Sequence, residues 1–131
     1  MADPTSRRAG ERSRRPVMIV GMEHVRLGYD YLNDGDFDAY GSLLDPEAVL
    51  VRAGSPPVLG RAAIERFWRC RWPSVHEMSE IIEDDPMISA VGRMIVRPPS
   101  GVVDLRFRDV FTLSDYGLLL VHRAEYYCRR G

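Results

Sequence analysis

Between residues 104 and 113 apolar and polar positions alternate. Leu105, Phe107, Phe111 and Leu113 fall on one parity; Asp104, Arg106, Arg108 and Thr112 fall on the other. Such alternation marks a strand with one buried face. Asp109 breaks it, a carboxylate on the apolar parity between Phe107 and Phe111. Read this way, the second half of the chain predicts four successive strands, at about 76–83, 87–97, 102–113 and 118–127, separated by the turn-forming segments DDP, PPSG and SDYG. The first half has a different period. Met18, Met22, Val25, Tyr29 and Leu32 recur at helical spacing, predicting a helix from about Val17 to Asn33 that Asn33-Asp34-Gly35 ends. Asp36 is placed to cap a second, short helix carrying Phe37, Tyr40, Leu43 and Leu44, which Asp45-Pro46 stops. A short strand over Glu47–Arg52, a loop over Ala53–Gly60 and a third helix over Arg61–Arg71, with Ile64, Phe67 and Trp68 buried, complete the pattern. Three helices and a short strand followed by an antiparallel meander make an α+β domain. A strongly curved sheet wrapped over such helices leaves a conical pocket, the usual place for a ligand.

Turn lengths convert this pattern into cross-strand neighbours. If Pro98–Gly101 joins the middle pair of strands, Asp109 faces Ala90 and Phe107 faces Gly92. If Ser114–Gly117 is a four-residue connection, Asp109 faces His122, Phe107 faces Ala124 and Phe111 faces Leu120. Opposed residues share a face, so the acid is expected beside an imidazole and small residues. A carboxylate among aromatic rings loses hydration, and a neighbouring imidazolium or arginine restores its charge. Such a pair holds and passes a proton near neutral pH, as acid–base catalysis requires. The alternative is a pair that only satisfies itself and fixes the strand register. Arg52 is also within expected reach of the acid. Tyr29, Trp68, Phe107, Phe111, Ala90, Met94 and Leu120 are the expected pocket lining, suited to a planar, apolar ligand.

Composition narrows the chemistry. The chain's 131 residues suit one domain, and a formal net charge of −1 excludes nucleic-acid or membrane-surface binding that rests on bulk charge. No apolar run is long enough to span a bilayer. Residues 1–16 carry five arginines without apolar periodicity and read as a disordered Arg-rich tail, leaving 17–131 as a single domain. Cys70 and Cys128 fit no metal spacing and are expected as reduced thiols of a cytoplasmic protein. All 18 basic residues are arginine, which excludes lysine Schiff-base and Walker-lysine chemistry in this chain. His24 is expected at the surface, and the parity of His76 is ambiguous because HEMSEIIE shows no clear inner face. No metal site and no cofactor are expected. Val91, Ile95 and Val110 fall on the outer sheet face among Arg93, Arg97 and Arg108, a mixed surface suited to a homodimer.

The segments YLNDGDFDAYGSLLDPEAVL and GRAAIERFW, followed by the four strands, resemble the NTF2-like superfamily, and within it the SnoaL-like polyketide cyclases and ketosteroid isomerase-like proteins. The resemblance covers about residues 18–128. It implies a cone of three N-terminal helices packed on a strongly curved, mostly antiparallel sheet. It also implies a functional acid on the penultimate strand facing the cavity, at Asp109 in RDVF. In the cyclases that acid shuttles a proton during an aldol closure; in the isomerases a protonated acid donates to a developing oxyanion. The chain departs from the isomerases where their base would fall, at Arg52, and where their oxyanion tyrosine would fall, near Gly28, although Tyr29 is adjacent. It has Asn33 where scytalone-type dehydratases carry an aspartate. The Arg–Asp–Asp set of limonene-type epoxide hydrolases is not clearly reproduced, since Asp104 and Arg106 lie on the polar parity. The resemblance thus implies a cofactor-independent enzyme of secondary metabolism, with cyclase or isomerase chemistry on an apolar carbonyl-bearing substrate. The alternatives are an epoxide hydrolase or dehydratase, or a non-catalytic ligand-binding or dimerisation module of the same fold. Asp109 would be the acid/base, His122 would orient it or share its proton, and Arg52 would bind or polarise a substrate oxygen.

Overall fold

The computed structural model describes the backbone of residues 4–128, with side chains from residue 14 onward. Helix α1 (Pro4–Asp34) is followed by α2 (Phe37–Ser42), β1 (Leu44–Arg52), β2 (Val58–Leu59), α3 (Arg61–Arg69), β3 (Ser74–Asp84), β4 (Met87–Val96), β5 (Val103–Leu113) and β6 (Leu119–Cys128). The helix expected from Val17 therefore starts at Pro4, and residues 4–16, expected as part of a disordered tail, are helical, with Pro16 inside the helix. Arginine is a good helix former, and a segment without apolar periodicity gives a pattern reading nothing to detect. Residues 1–3 of the expected tail lie outside the described residues. No helix among the described residues is long and apolar enough to cross a membrane.

The caps act as their residue types dictate. The Asp36 carboxylate accepts from the Ala39 N–H at 3.2 Å and opens α2. Arg61, the first residue of α3, donates from its guanidinium to the Leu44 carbonyl, tying α3 to the start of β1. The expected loop before α3 contains the two-residue strand β2, which pairs antiparallel with β1.

The six strands form one sheet in the order β2-β1-β6-β5-β4-β3. All neighbours are antiparallel except β1 and β6, which run parallel. Three irregularities interrupt the ladders: one in β1 between Leu44 and Val49, one in β3 between Met78 and Glu80, and one where β5 meets β6, between Thr112 and Leu113. An extra residue on one strand of a pair bends that strand and increases local twist. The concave face closes over the helices. Met18, Val25 and Tyr29 of α1, Tyr40 of α2, Ile64 and Trp68 of α3 are buried against Leu50, Ile88, Phe107 and Phe111 of the sheet.

Candidate functional site

The alternation that singled out Asp109 places its carboxyl on the concave face of β5, at 2% exposure. Its two oxygens have different surroundings. Oδ2 accepts the Tyr29 hydroxyl proton at 2.5 Å, a length typical of an O–H donor to a carboxylate. Burial, then the Asp109 charge and the hydrogen bond to it, push the Tyr29 phenol well above its ordinary pKa, so the hydroxyl keeps its proton and donates. Oδ1 lies 3.2 Å from His122 Nε2, but the two do not align as a hydrogen bond; Oδ1 and both His122 ring nitrogens are buried without a hydrogen-bond partner in the protein. His122 is stacked on Phe111, centroids 4.4 Å apart, which fixes its plane. Arg52 forms no ion pair with Asp109. Its guanidinium lies over the Phe67 ring at 4.3 Å.

The β4–β5 register is as the turn predicts, with Ala90 opposite Asp109 and Gly92 opposite Phe107. The β5–β6 register is not. Asp109 faces Ala124, Phe107 faces Tyr126 and Phe111 faces His122. The ladder has slid by an even number of positions, so every side chain keeps its face, and His122 reaches the acid diagonally. The cause lies at the hairpin end. Ser114 N–H bonds the Leu118 carbonyl at 2.8 Å, while Leu119 N–H bonds the Leu43 carbonyl at 2.9 Å, drawing the start of β6 towards its parallel partner β1. Leu113 then pairs with Leu119, and Leu120 is the unpaired residue of the irregularity. Leu120, expected as pocket lining, is displaced from that place by the fully buried Leu119.

His76 is a site residue that alternation could not place. The irregularity at Ser79 exchanges the inner parity of β3: His76 and Met78 pair with the inward Met94 and Gly92, whereas Ile81 pairs with the inward Ala90. The His76 ring is 4% exposed, among Tyr29, Trp68 and Phe107. Its backbone is held from α1: Asn33 donates to the His76 carbonyl at 2.8 Å and accepts the His76 N–H at 2.7 Å. Asn33 thus satisfies backbone groups of an edge strand that no other strand covers. His24, expected at the surface, is half-buried with Nδ1 2.8 Å from the Gly117 carbonyl. Among the described residues no group of three or more His, Cys, Asp or Glu is placed to hold a metal ion.

Burial pushes the His76 imidazole down to about 4, Asp109 opposing the shift and His122 adding to it. Unfolded, the group titrates near its ordinary 6.5. Between those values the unfolded chain binds more protons, so this contribution to stability is complete above pH 6.5 and is lost as pH falls towards 4. The loss is expected to approach ~3 kcal/mol at most. Urea unfolding of the protein and of His76→Phe across that range checks it: the variant should lose less stability on acidification, and equal losses would contradict the account.

The cone is nearly closed. The space bounded by Val25, Tyr29, Leu32, Tyr40, Phe111 and His122 is about 10 Å³, roughly what a single water needs. Trp68, Met94 and Phe107, expected as ligand-facing walls, are 6%, 4% and 2% exposed and fill much of the interior. Leu32 and Trp68 also line an open surface cleft of about 360 Å³ with Asn33, Phe37, Arg71 and Trp72. Tyr126 was missed as a site residue, although it continues the His122, Ala124 parity. It lies beside Phe107 towards the rim, and burial, then Asp109, raise its phenol pKa while Arg71 and Arg52 lower it.

A curved six-stranded sheet closed over three helices is the NTF2-like fold. The SnoaL-like domain family matches residues 25–122, and the chain belongs to that family. Among curated proteins none matches the chain. Among solved structures, the chain is similar to SalBIII, an epoxide hydrolase/cyclase-like enzyme in pyran ring formation in the polyether salinomycin, at 20% identity and a TM-score of 0.74 over 81% of this chain and 89% of that one. It is similar to TerC, co-crystallised with polyporic acid, at 19% identity and a TM-score of 0.73 over 82% and 91%. It is also similar to RV0760c from Mycobacterium tuberculosis, in complex with estradiol-17beta-hemisuccinate, at 12% identity and a TM-score of 0.73 over 80% and 92%. At these identities the likeness is one of fold.

Proposed function

We propose that the protein is a small-molecule enzyme of secondary metabolism that moves a proton through Asp109 on an apolar, carbonyl-bearing, polyketide-like substrate. The observation that carries this reading is the asymmetry of the carboxyl: Oδ2 is held by Tyr29, while Oδ1 is buried beside His122 with no hydrogen-bond partner in the protein. An unmade hydrogen bond on a buried acceptor costs about 1–3 kcal/mol, and a bound substrate group relieves it. Oδ1 takes a proton from the carbon next to the substrate carbonyl, and the C–H electron pair becomes that of an enolate. The carboxyl returns the proton to another carbon in an isomerisation, or to the alkoxide left when the enolate closes on a second carbonyl. His122 orients Asp109 or shares its proton; Arg52 binds or polarises a substrate oxygen. The fold relatives co-crystallised with polyporic acid and estradiol-17beta-hemisuccinate support a small organic ligand. Epoxide hydrolase chemistry of the Arg–Asp–Asp kind is disfavoured, because the Arg93–Asp104 pair, at 2.6 Å, lies on the outer sheet face.

A second reading, a non-catalytic module whose cone is core, draws on the closed interior around Trp68, Met94 and Phe107. Titration with a bicyclic ketone such as 2-tetralone, followed by tryptophan fluorescence, separates the two. Binding with proton exchange at the ketone's α-carbon supports the enzyme; binding without exchange marks a carrier; no binding marks a filled module. The second copy of a homodimer belongs on the outer sheet face, where Val91, Ile95 and Val110 are half-buried among arginines. Light scattering at micromolar concentration should give twice the monomer mass, and a monomer would contradict that arrangement.

A further inference from the structure

Two guanidinium groups meet at one ring outside the acid–base set. Arg52, from the end of β1, lies 4.3 Å from the Phe67 centroid, and Arg71, just past α3, lies 4.7 Å from it. Neither forms an ion pair with a carboxylate among the described residues, and Arg52 Nε is buried without a hydrogen-bond partner in the protein. Stacking on a phenyl face satisfies only part of what a guanidinium loses when its N–H groups leave water. Two neighbouring arginines of α3 are engaged differently: Arg69 pairs with Asp38 at 3.1 Å, and Arg61 donates to the Leu44 carbonyl. Arg71 also lines the surface cleft, and Leu32 borders both that cleft and the small space beside His122. Asp34 lines the cleft as well, and Trp72 shows an exposed indole, at 59%, on the same side as Arg71.

We infer that Arg52 and Arg71 form an anion subsite at the rim of the cone, and that the ligand is an amphipathic acid. Its apolar carbonyl end would be directed to Asp109 and its carboxylate or phosphate held between Phe67 and the cleft. The inference rests on the proposed binding role of the cone, and adds the charge of the ligand's other end. A guanidinium donates up to five N–H groups in a planar fork that matches a carboxylate or phosphate, and an arriving anion supplies the acceptor and the opposite charge that the two arginines lack.

The test uses 2-naphthoate and its neutral isostere 2-naphthamide, with 2-naphthyl phosphate to distinguish the two anions, titrated against the full chain at low salt by tryptophan fluorescence. The acids are expected to bind roughly tenfold or more tightly than the amide, the scale of a charged hydrogen bond. Arg71→Gln, an exposed change that spares the fold, should lower acid affinity and leave amide affinity unchanged; Arg52→Gln should lower acid affinity more than amide affinity, with circular dichroism reporting folding. Equal binding of acid and amide, a preference that survives in Arg71→Gln, or no binding of any of the three at millimolar concentration overturns the subsite. Asp109→Asn should retain the preference for acids. If the preference holds in an enzyme that exchanges no proton, the catalytic reading fails and the subsite stands.

Discussion

Gly92→Ala is expected to lower stability by about 3 kcal/mol or more, at or beyond the upper end of ordinary overpacking. In a chain of this size that is a fall in Tm of roughly 10 °C. A Cβ at this position would meet the Glu77 carbonyl oxygen at 2.2 Å, Met78 Cα at 2.9 Å and Phe107 Cε1 at 2.9 Å. The first two are backbone atoms of the neighbouring strand, so relief requires β3 to move away from β4 at the irregularity that turns His76 inward. Phe107 cannot yield cheaply either, since it is buried against the tilted Tyr29 ring and the edge-on His76 ring. Thermal unfolding by circular dichroism measures the effect. A Tm within a degree or two of the parent would mean that the close approach of β3 to β4 is not as described.

Asp109→Asn should reduce the rate of proton transfer by roughly 10²–10⁴, the usual contribution of a positioned acid or base, with little change in fold. The amide is nearly isosteric, and its carbonyl oxygen can still accept from Tyr29. What it lacks is a basic oxygen at the Oδ1 position beside His122, 3.2 Å away in the parent. Native-like circular dichroism together with lost turnover assigns the effect to chemistry. A folded variant with parental activity would remove Asp109 from the mechanism.

The parts of this site that sequence pattern reveals are those set by local alternation and short turns. Asp109, Phe107 and Phe111 share a face because a strand alternates, and Ala90 lies opposite the acid because the β4–β5 connection introduces no irregularity. His122 reaches the acid although its predicted partner was wrong, since an even slide preserves the face. What was hidden depends on contacts distant in sequence. The β5–β6 slide follows from the bond between Leu119 and Leu43, which belongs to a parallel pairing no turn announces. His76 is ambiguous because the irregularity at Ser79 exchanges parity within one strand, and Tyr29, expected as pocket lining, shows its bond to Asp109 only when the helix is laid across the sheet. The near-closure of the cone was likewise beyond pattern: alternation says which side chains face inward, not how completely Trp68 and Met94 fill the space between them.

Proton movement by Asp109 on a bound carbonyl compound is read by hydrogen–deuterium exchange. In D₂O, NMR follows loss of the α-protons of 2-tetralone in buffer, with the protein, and with Asp109→Asn. Exchange should be faster than in buffer with the protein and return to the buffer rate with the variant. Exchange at the buffer rate with the parent protein, or equal acceleration by parent and variant, would contradict it.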